Sequence, residues 1–290
     1  MDNPASTVLR ESSVRMFTTW RSIGKAALLG GAALLTASQA GAAEPVRLGY
    51  AIYAGGFHVL DASIVLDVGR EGYMVEVNAQ TQGILGTFFP WQTLARSDGR
   101  MNAGEAEPRT HKQTGTWRGK DRAVDLYYDG SGSVLAEVRP PDDPAEREPV
   151  PPEMVPGTTD PLSAVLSVAG AVAVGRGCSE TVPVFDGRRR YDLTFKEMGS
   201  RNLPPSKYSV FSGAAVQCQV TSKVLAGNWK KDGGAVSDDE KRKPVALMLA
   251  PVVEGMPPVP VRLEGESRFG EVIMHLTSAE PIVSSGAVAQ

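Results

Sequence analysis

The sequence predicts a mainly β protein, a long curved antiparallel sheet or open half-barrel crossed by one buried helix at about 160–174. Three observations carry this. Apolar and polar residues alternate with period two along many short segments, Gly-, Asp- and Asn-rich turns separate them, and a single apolar run has helical start signals.

The alternation is clearest at 73–81, where Tyr73, Val75, Val77 and Ala79 share one face and Met74, Glu76, Asn78 and Gln80 the other. Ala62–Val68 precedes it across a Gly69–Gly72 turn. Arg122–Tyr128 and Ser133–Arg139 form a second hairpin around Asp129–Gly132. Thr181–Phe185 and Tyr191–Lys196 form a third around Asp186-Gly187. Val46–Tyr53, Thr87–Ser97, Pro108–Thr116, Lys207–Val224, Val245–Val253, Pro258–Glu266 and Glu271–Thr277 complete the predicted strands. The helix opens with Asp160 as its cap and Pro161 in its first position. It is apolar nearly all round, so it belongs in an interior. Pro140–Pro156 reads as a connector, and Lys230–Lys243 as a polar loop.

Residues 1–43 read as a signal peptide. Arg10, Arg15, Arg21 and Lys25 precede the apolar run Ala26–Leu35, which is too short to span a bilayer. The small-residue site Ala40-Gly41-Ala42 follows, with cleavage expected after Ala42 or Ala43. The alternative is an uncut anchor. Cleavage leaves one periplasmic β-rich domain, 44–290, with no transmembrane segment. The leader carries four basic and two acidic residues, so the net charge of −3 becomes −5 without it. That balance argues against nucleic acid as a partner.

Cys178 and Cys218 are the only cysteines. In an oxidising compartment, without Cys-x-x-Cys spacing, they read as one structural disulfide rather than a redox pair or metal ligands. Closing their loop of roughly 40 residues stabilises a fold by about 4 kcal/mol in the chain-entropy model.

Catalytic signatures are missing. There is no Gly-x-Ser-x-Gly elbow, no His-Glu-x-x-His, no phosphate loop and no dinucleotide fingerprint. His58, His111 and His275 are scattered singly and read as ordinary polar residues rather than zinc ligands. No catalytic residue, metal or cofactor is assigned. Two segments invite a functional reading. Gly83–Trp91 is dense in large apolar side chains, and Phe88, Phe89 and Trp91 either line a cavity mouth or plug the sheet. Leu162 and Leu166 would line that cavity from the helix. Arg188-Arg189-Arg190 either holds an anion or is a solvated turn, the commoner case.

Several short motifs carry a family likeness. They are Tyr50-Ala-Ile-Tyr53 with Gly55-Gly56, Asp160-Pro-Leu-Ser163, Val184-Phe-Asp-Gly187 with Tyr191-Asp-Leu-Thr-Phe195, and Cys218 in the strand beyond. In this order the chain resembles the Gram-negative periplasmic domain-of-unknown-function family 3108. The resemblance implies a curved sheet similar to the lipoprotein carriers LolA and LolB, but no catalytic residues. The chain departs from those carriers in its greater length and in lacking an arginine within the hydrophobic face. The function expected is non-enzymatic support of the cell envelope by binding a lipid or other hydrophobic ligand. A scaffold docking on an envelope protein complex through a sheet edge is the alternative, and a cell-wall or lipid hydrolase the remote one. Partners are accordingly a lipid, a lipoprotein or an envelope complex.

Overall fold

Period-two alternation becomes antiparallel ladders in a computed structural model of the chain, which describes residues 44–69, 72–117, 119–230, 243–267 and 270–282. The expected signal peptide and most of the Lys230–Lys243 loop lie outside these residues. Thirteen strands form one sheet that does not close. They are β1 Val46–Ala54, β2 Phe57–Val68, β3 Tyr73–Thr81, β4 Gln92–Asn102, β5 Glu105–Trp117, β6 Lys120–Tyr128 and β7 Val134–Arg139. After the connector come β8 Glu180–Phe185, β9 Arg190–Leu203, β10 Gly213–Ala226, β11 Val245–Ala250, β12 Val259–Ser267 and β13 Gly270–Pro281. Their order is β7-β6-β5-β4-β3-β2-β1-β13-β12-β11-β10-β9-β8. The first and last strands are thus neighbours at the centre, and the edges flank the connector.

The β3 alternation is realised as read. Tyr73, Val75 and Val77 join the main core with Leu48, Tyr50, Leu66, Met248, Val261 and Leu276. The helix α2, Pro161–Ala173, starts at the Asp160 cap and packs against β4, β5 and β8. Its Leu166 enters the main core, and its Val168 enters a second cluster with Phe195, Leu247 and Leu249 around the cysteines. Small residues let it lie close: a side chain at Gly170 would collide with the backbone of Gly104 in the β4–β5 turn.

Three expectations need correcting. The segment predicted as strand from Thr87 holds a short helix, α1 Gly83–Phe88, and the strand starts only at Gln92. Gly83 sits at φ 56°, in the left-handed region that glycine enters without steric cost, and turns the chain out of β3. Similarly, the strand predicted from Lys207 starts at Gly213, because 204–212 forms a loop between β9 and β10.

The Arg188–Arg190 run is also not a solvated turn. Arg188 binds the Asp142 carboxylate at 2.5 Å and the carbonyls of Arg139 and Pro140. Arg189 pairs with Asp186, and Arg190 with Asp192 and the Met154 carbonyl. Buried Arg147 donates to the Gly227 carbonyl and lies 4.0 Å from the Trp229 ring. These bonds clasp the connector to the β8–β9 side. Phe185 of β8 meanwhile packs with Val124 and Leu126 of β6. Thr159 pairs along β8, its N–H to Pro183 and its carbonyl to the Phe185 N–H. The connector therefore bridges the open side of the sheet and covers part of the β8 edge.

Candidate functional site

Three places in the fold have chemistry to offer: an apolar rim, a buried polar cluster and a polar cleft.

The rim is built by α1 beside the start of β2. Thr81 pins both ends of the excursion, its N–H donating to the Trp91 carbonyl and its hydroxyl to the Phe89 carbonyl, while it accepts from the Trp91 N–H. Gln82 is tied to β2 through the Val59 carbonyl. Gly86 lies so close to the Thr81 carbonyl that a side chain there would meet it at 2.8 Å. Held in this way, the helix turns its large residues outward. Ile84 is 71 % exposed, Phe88 72 %, Phe89 70 % and Phe57 of β2 70 %. No charged residue occurs between Glu76 and Arg96. Burial of even one such side chain is worth about 1.5–3 kcal/mol, so a cluster of four left in water is an unusual expense for a surface.

Of the residues proposed from sequence, Phe88 and Phe89 project from this rim and Trp91 is half-buried behind it. Leu166 is in the main core with Leu162 packed against it. The two groups sit on different supports, α1 on β2 and β3 and α2 on β4, β5 and β8. The apolar feature is a protruding rim more than the mouth of a lined cavity. Ile84 and Phe57 belong to it and were not singled out in the sequence. Phe57 follows Gly55-Gly56 at a hairpin tip, and that position was the available signal.

The polar cluster has the composition of a hydrolase triad but not its geometry. Ser97, His111, Asp160, Ser163 and Tyr73 are all buried. Asp160 accepts from the Ser97 hydroxyl at 2.6 Å, the Ser163 hydroxyl at 2.5 Å, and the N–H groups of Leu162 and Ser163 at 3.0 Å. His111 Nδ1 is 2.8 Å from Ser97 Oγ and 3.3 Å from Asp160. Tyr73 hydrogen-bonds Ser163 at 2.6 Å. Because Ser97 gives its proton to the carboxylate, its oxygen is not activated by the histidine, as nucleophilic catalysis requires. Burial alone would raise the Asp160 carboxyl. His111, Ser163 and Ser97 outweigh it and hold the group below the usual carboxylate range. The cluster locks the helix N-terminus to β3, β4 and β5. Sequence revealed the cap but not its partners, which lie on distant strands.

The cleft, about 1480 Å³, opens among the β2–β3, β4–β5 and β6–β7 turns and the start of β8. Tyr73, Asp98, Arg109, Tyr128, Thr159 and Glu180 are among its walls. Glu180 is raised by burial and by Glu105, against the opposing pull of Arg176. With charges of both signs along it, this cleft suits a polar occupant and not an acyl chain. Among the described residues no three His, Cys, Asp or Glu side chains converge as metal ligands, and no helix is long and apolar enough to cross a membrane.

The thirteen-stranded open antiparallel sheet places the protein in the mainly β class. A crystal structure of a beta-barrel-like protein of domain of unknown function DUF1849 from Brucella abortus is similar, with a TM-score of 0.50 at 10 % identity. The likeness covers 83 % of this chain and 99 % of that one, and at this identity it is a likeness of fold. The chain itself belongs to the family DUF3108, proteins of unknown function, whose model matches residues 49–277. No curated protein matches the sequence.

Proposed function

We propose that this protein is a non-catalytic factor of the bacterial periplasm that supports the cell envelope by binding a lipid or lipid-bearing molecule at the α1 rim. The observation that carries the reading is the exposure of Ile84, Phe88 and Phe89 in a stretch without charged residues, with exposed Phe57 on the neighbouring β2. Placement in the periplasm rests on the signal-peptide pattern of residues 1–43 and on the two cysteines, which suit an oxidising compartment.

The test is mass spectrometry of an organic extract from the protein purified from periplasm without detergent. A stoichiometric lipid is expected. A Phe88→Ser/Phe89→Ser double variant should lose it by tenfold or more. Its thermal unfolding should stay within about 1 kcal/mol of the parent, because both rings are already in water. A clean extract from folded protein would refute the proposal and favour docking on an envelope protein instead.

A further inference from the structure

β12 and β13 are paired only from Arg262 opposite His275 to Ser267 opposite Gly270. Past His275, β13 continues beside β1 as far as Pro281, while β12 continues beside β11 to Val259. The sheet parts at this point. The diverging segments carry Val259, Val261 and Leu276, all buried in the main core. The loop at 204–212 occupies the parting. Its Val210 N–H donates to the Leu276 carbonyl at 2.9 Å, and its Phe211 packs against the main core. Tyr208 N–H bonds Ser206 Oγ and Phe211 N–H bonds Ser209 Oγ, so the loop is folded by its own turns.

A stack of rings also holds this loop. Tyr208 lies 5.5 Å from His275 at an interplanar angle of 26°. Tyr53 of β1 stands edge-on to both, with His58 of β2 stacked on its own ring. We propose that the 204–212 loop is an acid-released plug over the apolar core, with His275 as its trigger.

The surroundings of His275 leave little accommodation for a second positive charge. Arg262 Nη1 is 3.4 Å from His275 Nδ1, and a guanidinium can only donate, so Nδ1 accepts and the ring proton is on Nε2. Adding a proton at Nδ1 breaks this contact and sets imidazolium against guanidinium. Glu264 is the carboxylate at hand, but it already takes Arg201 at 2.7 Å and Arg262 at 2.6 Å. Lys207, on the loop itself, lies 5.0 Å from the Tyr208 ring and adds positive charge. His58 is bonded to Asp61 at 2.6 Å and stacks on Tyr53, so it meets the loop only through that ring.

Burial, then Arg262, push the His275 imidazole below its usual value, against the opposing pull of Glu264. With its affinity for the proton lowered in the closed form, the opened form binds the proton better. The closed form is therefore fully favoured above about pH 6.5, the ordinary imidazole value, and loses ground as pH falls below it.

Hydrogen exchange of the whole chain at pH 7.5 and 5.0, corrected for intrinsic rates, reads the plug with no ligand present and independently of the lipid proposal. Amides of 206–212 should exchange at least tenfold faster at pH 5.0, with β3 unchanged. His275→Gln, which can still accept from Arg262 without titrating, should abolish that response. Tyr208→Leu, which removes the stacked ring and leaves His275 in place, should loosen the loop at both pH values. Equal protection of the loop at the two pH values in the parent chain would overturn the proposal. So would the same acid response in His275→Gln, or a loop as protected in Tyr208→Leu as in the parent.

Discussion

Replacing Asp160 by alanine is expected to cost about 3–5 kcal/mol of folding stability, because it removes the one carboxylate at which four buried donors converge. The two hydroxyls and two N–H groups that point at this carboxylate lie on β4 and on the first turn of α2. Loss of an exposed helix cap costs only about 1 kcal/mol. The larger figure follows from burial, since water cannot enter to replace the lost acceptor. Urea unfolding followed by circular dichroism measures the difference. A loss under 1 kcal/mol would mean that the cluster is not the lock described above. The same carboxylate sets an acid limit. Its folded-state value is depressed, so its contribution is present above about pH 3.9, the ordinary Asp value, and is lost as pH falls through the lower folded value.

The second large effect concerns the Cys178–Cys218 disulfide, which joins the segment after α2 to β10 across a sequence separation of 40 residues. A Cys178→Ser/Cys218→Ser variant should lose about 2–5 kcal/mol. Both sulfurs are fully buried against Val168, Phe195, Leu247 and Leu249. The Cys178 N–H donates to the Glu197 carboxylate at 3.1 Å and supports the same junction from β9. Reductant should accordingly act slowly on the native protein and quickly once urea is added. Unfolding curves of the variant and parent that superimpose would refute a structural role for the bond.

How much of this was legible depends on the range of the interaction. The faces of β3 and the start of α2 are written locally, in the alternation from Tyr73 to Ala79 and in Asp160-Pro161. The α1 helix was not legible. Ile84, Thr87 and Phe88 all favour strands, and its conformation comes from Gly83 and from bonds reaching back to Thr81 and across to Val59. The arginine run misled for a similar reason. Asp142, which fixes Arg188, lies 46 residues earlier, in the connector. For the rim, the residues were visible but their exposure was not. Apolar composition is the same for a plug and for a protruding surface, and tertiary placement alone distinguishes Phe89, out in water, from Leu166 in the core.

The central position of β1 beside β13 has a consequence for synthesis and for engineering. On the ribosome, β1–β7 can zip up hairpin by hairpin, yet β1 keeps an unpaired side until the last strand emerges. A stop before Gly270 would therefore tear the sheet through its middle instead of trimming an edge. Cells should degrade such a product, with β1 left as a sticky border for other chains. A circular permutant has the opposite prospect. Opened within the connector and joined from β13 to β1, it would keep every ladder while exchanging two ends in the middle of the sheet for two at its margins.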